Sequence, residues 1–288
     1  MKQKTWPAAS DGSHFKSLNL YRPTTSLFHP TPRHSRLNQL PSSQPSNFST
    51  LPFDILTKIG SSLNHPDLKS SSLVCTSWRD GLTPLREAML FVMWGKKFKH
   101  GRGGVRKNLG KALDSFMKGV VRGSTLAMVD AGLIYWEMGR KEDGVALYRR
   151  AAELGDHNGE CNLGISYLQV EPPNQKEAFK WLYKASVAGH ARAQYQLALC
   201  LHQGRGVQRD LTEAGKWYLR AAEGGYTRAM YNTSLCYLSG EGLVHSHRQA
   251  KKWMKRAAEC GHRKAQYEHG LLLFSVRTSC EQNHVFLS

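Results

Sequence analysis

Between residues 51 and 82, large apolar side chains recur at the spacing of short helices. Two sets follow this spacing: Ile55, Leu56, Ile59 and Leu63; then Leu68, Leu73 and Val74. Pro52 suits the start of a helix, because its fixed φ and missing N–H fit the first turn. Trp78 follows Cys75 by three residues, so both side chains lie on one face of a further helix. The pattern predicts three short helices with too little core to fold independently.

The apolar pattern from residue 84 to 274 is an internal repeat. Four columns recur at steps of 36 residues: Trp181, Trp217 and Trp253; Ala185, Ala221 and Ala257; Gly189, Gly225 and Gly261; Tyr195, Tyr231 and Tyr267. In the copy 191–226, a first helix leads through a Gly-x-Gly loop into a second helix. Asp210 is the predicted cap of that second helix, and Gly224-Gly225 is its predicted stop. We count five copies: 88–123, 124–155, 156–190, 191–226 and 227–262.

A helix pair of this kind cannot bury its apolar side alone, whereas stacked pairs can. The repeat therefore predicts an all-α fold in which helix pairs form a right-handed α-solenoid. A sixth copy, 263–274, supplies a first helix but lacks the Gly-x-Gly loop and the second helix. We interpret 275–288 as an irregular C-terminal tail. The hypothesis is a shortened form of a longer chain, and a tail that folds over the last helix is the alternative.

The first fifty residues show neither the helical nor the strand period. They hold nine Ser, six Pro and five Thr, with a single acidic residue at Asp11. This composition is typical of a disordered tail, which is the interpretation we favour for residues 1–50. An organelle transit peptide has a similar composition and stays an alternative.

The net charge of +18 suggests a nucleic-acid partner until the charge is located along the chain. Residues 84–123 hold ten basic and two acidic residues, and the tail holds six and one, so most of the excess is local. The densest run, which we call the basic cluster, consists of Lys96, Lys97, Lys99, Arg102, Arg106 and Lys107. A solvated face is the commoner reading of such a run, and a site for an acidic partner is the alternative.

The sequence carries no pattern that predicts catalysis, a metal or a cofactor. Neither CxxC nor HExxH occurs, and Cys200 and Cys236 share one repeat column, as do His190 and His262. The glycine-rich stretch 101–105 follows no strand and lies where the repeat has its loop, so it is not a phosphate site. The Trp column is predicted to be core. No apolar run is long enough to span a membrane.

Residues 51–83 resemble an F-box, and we call them the F-box-like segment. The resemblance rests on Leu51-Pro52, Ile55-Leu56, Ile59, Leu63, Pro66-Asp67-Leu68, Leu73-Val74-Cys75 and Trp78-Arg79. It implies docking on the Skp-type adaptor of a cullin–RING ubiquitin ligase through Leu51, Pro52, Ile55, Leu56, Ile59, Leu63, Leu68, Val74 and Trp78. Gly60 departs from the family, which has a large apolar residue there, and we expect it to weaken the first helix by up to ~1 kcal/mol.

The repeats resemble Sel-one-like repeats, which are relatives of tetratricopeptide repeats. The shared columns are Leu-Gly-x-x-Tyr, Gly-x-Gly-Val, Ala-x-x-Trp and Lys/Arg-Ala-Ala-Glu-x-Gly. This family generally forms protein-interaction scaffolds, so the resemblance implies a binding surface rather than an active site.

The two resemblances together imply a non-catalytic substrate-recognition adaptor of a Skp–cullin–F-box ligase. The Skp-type adaptor and, through it, a cullin are the expected partners, and the repeats are expected to bind an unknown target protein. An F-box scaffold without ligase function is the alternative, and a basic nucleic-acid-associated protein is the less favoured third. The expected location is the cytoplasm, the nucleus or both.

Overall fold

A computed structural model describes residues 55–56, 59–60 and 63–271. The helices with complete bounds are α1 (His65–Ser71), α2 (Thr76–His100), α3 (Leu109–Val121), α4 (Thr125–Glu137), α5 (Lys141–Glu153), α6 (His157–Gln169), α7 (Gln175–Val187), α8 (Ala191–Gln203), α9 (Leu211–Glu223), α10 (Thr227–Ser239) and α11 (His247–Glu259). Residues 55–56, 59–60 and 263–271 are also helical. The predicted tail 1–50, Leu51, Pro52 and the predicted tail 275–288 lie outside the described residues.

The helices from α3 to α11 are 13 residues long, and each packs against its neighbours in chain order. The last half of α2 pairs with α3, and α4 with α5, α6 with α7, α8 with α9 and α10 with α11 follow. First helices of neighbouring copies also contact one another, as α4 does with α2 and with α6. The predicted stack of helix pairs is confirmed, and the fold is an all-α solenoid.

The conserved-looking spacing of glycines after each second helix has a backbone cause. Gly123, Gly155, Gly189, Gly225 and Gly261 have φ values of 79°, 80°, 87°, 85° and 83°. A side chain is disfavoured in this left-handed region, so the chain uses glycine where it turns from one copy into the next. The spacing reports this turn.

Polar side chains cap most of the repeat helices. Asn108, Ser124, Asp156, Asn174, Asp210 and Ser246 each accept a hydrogen bond from a backbone N–H in the first turn of the helix that follows. Asp210 Oδ1 accepts from Glu213 N at 2.9 Å, which confirms the predicted cap of α9. Such caps stabilise a helix by about 1 kcal/mol each.

The core joins a small residue of each first helix to a large residue of the second. The pairs are Gly95 with Phe116, Gly132 with Tyr148, and Gly164 with Leu182; in each, a Cβ on the glycine would clash with the large side chain. Phe116 and Leu182 are fully buried, and Tyr148 is 2% exposed. The close approach of the two helices therefore depends on these glycines.

One helix differs from the expected arrangement. The third short helix predicted before residue 83 is the start of α2, which runs for 25 residues, about 37 Å, into the first repeat. Pro84 lies inside this helix and leaves one carbonyl without its usual N–H partner. The boundary predicted between residues 83 and 84 thus falls within a continuous helix.

Candidate protein-interaction surfaces

The F-box-like segment has a small interior built on α1 and the start of α2. Leu56, Leu68 and Leu82 are 2%, 0% and 1% exposed. A Cβ at Gly60 would stand 2.6 Å from Leu82 Cδ2 and 2.9 Å from Leu85 Cδ1. Gly60 is therefore a close-packing position against α2 and does not merely weaken its helix, because a larger residue would push α2 away.

Polar contacts fix the turn between α1 and α2. Asn64 Oδ1 accepts from Asp67 N at 3.0 Å and caps α1. At the other end, Ser72 is buried, and its hydroxyl donates to Lys69 O at 2.7 Å and accepts from Arg86 Nη1 at 2.9 Å. These contacts hold the following two residues, Leu73 and Val74, in a defined turn.

Apolar side chains remain on the surface of this segment. Leu73 is 74% exposed and Val74 is 64% exposed, while Ile55 and Ile59 are 41% and 40% exposed. We call Ile55, Ile59, Leu73 and Val74 the exposed apolar set. Two neighbouring large apolar residues at such exposure are typical of a surface that a partner covers.

The residues predicted to bind the adaptor divide into interior and surface positions. Leu56 and Leu68 lie in the interior, so in this conformation they support the surface and do not form it. Ile55, Ile59 and Val74 are exposed, and Leu63 and Trp78 are partly exposed. Leu73, the most exposed of the apolar residues here, was not among the predicted contacts; its place next to Val74 in the same motif was the available signal.

Adjacent residues of α2 hold the F-box-like segment and the first repeat. Arg86 donates to Ser72 in the turn before α2, and Glu87 forms an ion pair with Arg122 at the end of α3. The Arg122 guanidinium also lies 4.6 Å from the centroid of the Phe91 ring. No residue of α2 separates the two sets of contacts, so the two parts share one helix without a linker.

The basic cluster lies at the end of α2 and in the loop that follows. Lys96, Arg102, Arg106 and Lys107 are exposed, and Lys97 and Lys99 are partly exposed. Lys96 Nζ is 3.7 Å from Asp130 Oδ2, and Lys97 Nζ lies 4.6 Å from the centroid of the Trp94 ring. The structure therefore brings the predicted cluster together as one solvent-facing surface.

One titratable side chain accompanies the cluster. Partial burial, with the positive charges of Lys99 and Arg102, lowers the pKa of His100 below its usual value. A neutral imidazole at pH 7 adds no charge, so the surface takes its charge from lysine and arginine.

The cysteine and tryptophan columns serve the core. Burial raises the pKa of Cys161 to about 12 and that of Cys200 to about 11, so both thiols are protonated and unreactive at neutral pH. Trp217 and Trp253 are 8% and 5% exposed, as predicted for core positions. Arg220 lies over the ring of Trp217 at 4.5 Å, and this contact shields the partly exposed edge.

The His190 and His262 column has a structural role that the sequence did not reveal. His190 Nδ1 accepts from Ala193 N at 3.1 Å, and His262 Nδ1 accepts from Ala265 N at 3.2 Å. Each neutral imidazole therefore caps a helix in the way that Asp or Ser does in other copies. The equivalent position in those copies, Asp156 or Ser124, was the available signal.

Two kinds of site are missing from the described part of the chain. Among residues 55–56, 59–60 and 63–271, no three His, Cys, Asp or Glu side chains converge in a way that could hold a metal ion. Within the same residues, none of the helices combines the length and apolar character needed to cross a membrane.

Family models match both parts of the chain. The F-box domain model matches residues 48–83, and the Sel1 repeat model matches residues 141–156, 158–190, 191–226 and 227–262. The Sel1 match begins inside the second predicted copy. The pairing of α2 with α3 and of α4 with α5 extends the same geometry towards the F-box.

Relatives share these two parts to different extents. The "F-box protein At1g70590" of Arabidopsis thaliana is 59% identical over 230 residues, which are 72% of this chain and 64% of that relative. Chitin synthase regulatory factor 3 of Schizosaccharomyces pombe is 42% identical over 69 residues, 22% of this chain and 7% of that relative. The chain thus spans less than two thirds of the length of these curated relatives.

Solved structures support the solenoid. The crystal structure of a Sel1 repeat protein from Oxalobacter formigenes has a TM-score of 0.56 and 28% identity, and the match covers 74% of this chain and 86% of that one. A protective antigen of uropathogenic Escherichia coli with an SLR fold has a TM-score of 0.58 at 21% identity, covering 78% and 52%. This chain is an F-box protein that carries Sel1 repeats.

Proposed function

We propose that this chain is the substrate-recognition subunit of a Skp–cullin–F-box ubiquitin ligase. In this proposal, the exposed apolar set docks on the Skp-type adaptor, and the adaptor connects the chain to a cullin. The solenoid binds a target protein. The observation that carries the proposal is the exposure of Leu73 and Val74 in a segment that matches the F-box model.

The predicted adaptor contacts enter this proposal in two roles. Ile55, Ile59, Val74 and Trp78 supply contact surface, together with Leu73, whereas Leu56 and Leu68 shape the helices beneath it. Burying Leu73 and Val74 against an adaptor removes apolar area from water, which contributes about 25 cal/mol for each Å². Leu51, Pro52 and Leu63 remain proposed contacts on the basis of the family resemblance.

The chain supplies no reacting group in this mechanism. Ubiquitin transfer is accelerated by proximity, because a bound target presents its lysines near the charged conjugating enzyme at high effective concentration. The continuous helix α2 favours such a mechanism, since Arg86 and Glu87 tie the docking segment and the first repeat to one rigid element. A fixed distance between adaptor and target limits the lysines that can be reached.

The experiment is a co-purification of the full chain with a Skp-type adaptor and a cullin. We expect both proteins to be retained by the wild type and lost from the I55D/V74D variant, which places two carboxylates on the docking surface. The control variant L154D/V187D makes the same apolar-to-acid change at solenoid positions of 59% and 64% exposure, and it should retain both partners.

Other outcomes separate the alternatives. Retention of the adaptor without the cullin supports an F-box scaffold that does not direct ubiquitin transfer. If the adaptor is not retained by the wild type, or if I55D/V74D retains it as well as the wild type does, the docking proposal is wrong. The basic cluster is a further proposed contact, for an acidic partner segment, because its exposed lysine and arginine side chains lie on one surface.

A further inference from the structure

One stripe of each first helix carries side chains that the core does not use fully. Counted from the first residue of α4, α6, α8, α10 and the helical stretch 263–271, residues 2, 6 and 9 lie on one side of the helix, because they are four and three positions apart. We call this surface the A face. Contacts between copies join its stripes: Arg192 Nη1 donates to Asn162 Oδ1 at 3.3 Å, and the Tyr231 hydroxyl donates to Glu268 Oε1 at 2.8 Å.

An apolar column runs along the A face at residue 9 of each stripe. Its members are Leu133, Ile165, Leu199, Leu235 and Leu271. The first three are partly exposed, and Leu235 and Leu271 are 39% and 52% exposed. Each copy therefore offers one apolar contact on this surface.

An amide column lies next to it at residue 6 of three successive copies. Its members are Asn162, Gln196 and Asn232. The Asn232 side chain hydrogen-bonds to the hydroxyls of Tyr195 and Tyr218, which fixes its position. A primary amide both donates and accepts, so such a column can pair with the N–H and C=O groups of an extended backbone whatever its side chains are.

A cationic column forms the far edge of the same copies. Arg192, Arg228 and Lys264 occupy residue 2; Arg192 and Lys264 are exposed, and Arg228 is partly exposed. The two preceding copies have Asn158 and Leu126 at this position, so the positive charge begins at α8. The nearest acidic member of the A face, Glu268, is engaged by Tyr231.

The three columns have the spacing of an extended peptide that runs across the helices. Packed helices lie about 8–10 Å apart, and an extended chain advances about 3.3 Å for each residue, so one copy corresponds to about three residues. We propose that the A face from α6 to residue 271 binds an extended, acidic segment of a partner protein. Its carboxylates pair with the cationic column, its backbone with the amide column and its apolar side chains with the leucines.

This proposal rests on the proposed function, since it names the chemistry of the target segment that the solenoid recognises. Charge complementarity selects an acidic partner, and the excess positive charge of the chain draws such a segment towards the surface. Adaptor docking uses the exposed apolar set and none of the three columns. The two proposals can therefore fail separately.

The test is a selection of 12-residue peptides from a random library on the immobilised full chain. We expect the enriched pool to carry net negative charge with an apolar residue about every third position. The most enriched peptide, measured by fluorescence anisotropy, should bind the R192E/R228E variant at least tenfold more weakly than the wild type. The matched control K251E/K252E reverses two exposed charges on α11 and should bind within twofold of the wild type.

Several results would overturn the inference. These are an enriched pool without net negative charge, no enrichment over the starting library, unchanged binding by R192E/R228E, or an equal loss in K251E/K252E. Displacement of the peptide by a 12-nucleotide poly(U) strand at equal concentration would make the A face a nucleic-acid surface and would also overturn it. Adaptor retention by R192E/R228E, measured in parallel, reports folding and the docking proposal independently.

Discussion

In the F-box, Leu73 and Val74 remain 74% and 64% exposed, whereas in the solenoid large side chains such as Phe116 and Leu182 are fully buried. The difference follows from how each part finds neighbours. A repeat helix has a partner in its own copy and another in the next copy, so its apolar side chains are covered within the chain. The F-box packs Leu56, Leu68 and Leu82 inside and leaves its other apolar residues on the surface.

This comparison separates two meanings of an apolar column in a sequence. In the solenoid, a column marks a contact that is already made. In the F-box, the same residue types mark a contact that we propose is made with another protein. The two meanings predict opposite results when a side chain is changed: loss of stability in the first case, and loss of binding at constant stability in the second.

The largest expected effect is in the solenoid core. Phe116→Ala should lower the free energy of unfolding by about 3–5 kcal/mol, because the Phe116 ring fills the space against Gly95 between α2 and α3. Urea denaturation followed by circular dichroism measures this loss. Val121→Ala on the same helix is the control; this valine is 80% exposed, and its change should stay within about 0.5 kcal/mol. A loss below about 1 kcal/mol in F116A would contradict a self-sufficient core.

The second effect is in the F-box, where binding and stability should separate. Leu73→Asp is expected to weaken adaptor binding at least tenfold and to leave the melting temperature unchanged, because the side chain is exposed and has no core contact to lose. Leu68→Ala is the comparison variant; this leucine is 0% exposed, so its loss should lower the melting temperature. Calorimetric titration with the adaptor and thermal melts measure the two quantities. Equal melting losses in both variants would place Leu73 in the core.

The third effect tests the junction between the two regions. Inserting Gly-Gly-Ser-Gly between Arg86 and Glu87 breaks α2 at the point where its contacts pass from Ser72 to Arg122. We expect an F-box transition that melts separately and about 4–8 °C lower in differential scanning calorimetry. The same insertion between Gly103 and Gly104, in the exposed loop after α2, should leave the melting profile unchanged. A single unaltered transition in the α2 variant would show that the helix does not couple the two parts.

Much of the solenoid could be predicted because its determinants are local. The cap Asp210, the turn at Gly225 and the burial of Trp217 follow from residue type and spacing, and the repeat states each rule several times. The exposed apolar set was only partly predicted. Its motif identifies the helices, but spacing alone does not reveal that Leu56 and Leu68 face inwards while Leu73 faces solvent.

The continuation of α2 could not be read from the sequence for a physical reason. Proline inside a helix removes a hydrogen bond and usually ends the helix, so Pro84 suggested a boundary. The Thr83 hydroxyl donates to Arg79 O at 2.6 Å, and tertiary contacts of Leu82 and Glu87 hold the helix on both sides of the proline. Those contacts come from residues far away in sequence.

The smallest effect concerns the His190 and His262 caps, which belong to the solenoid alone. Burial, with the nearby charges of Arg192 and Arg228, lowers the pKa of His190 and of His262 respectively. The unfolded chain therefore binds protons first as the pH falls, and stability is lost below the unfolded pKa of about 6.5 as the capping nitrogens become protonated. We expect each protonated cap to lose about 1 kcal/mol.

Asparagine caps a helix without titrating, so the H190N/H262N variant should lose less stability than the wild type when urea denaturation is compared at pH 7.5 and pH 5.5. His245→Asn is the control, because this histidine lies in the loop before α11 and caps no helix; its pH dependence should equal that of the wild type. Identical pH dependence in H190N/H262N and the wild type would show that the two imidazoles do not act as caps. Adaptor binding should not respond to either variant at pH 7.5, since the caps lie in the solenoid and the exposed apolar set contains no histidine.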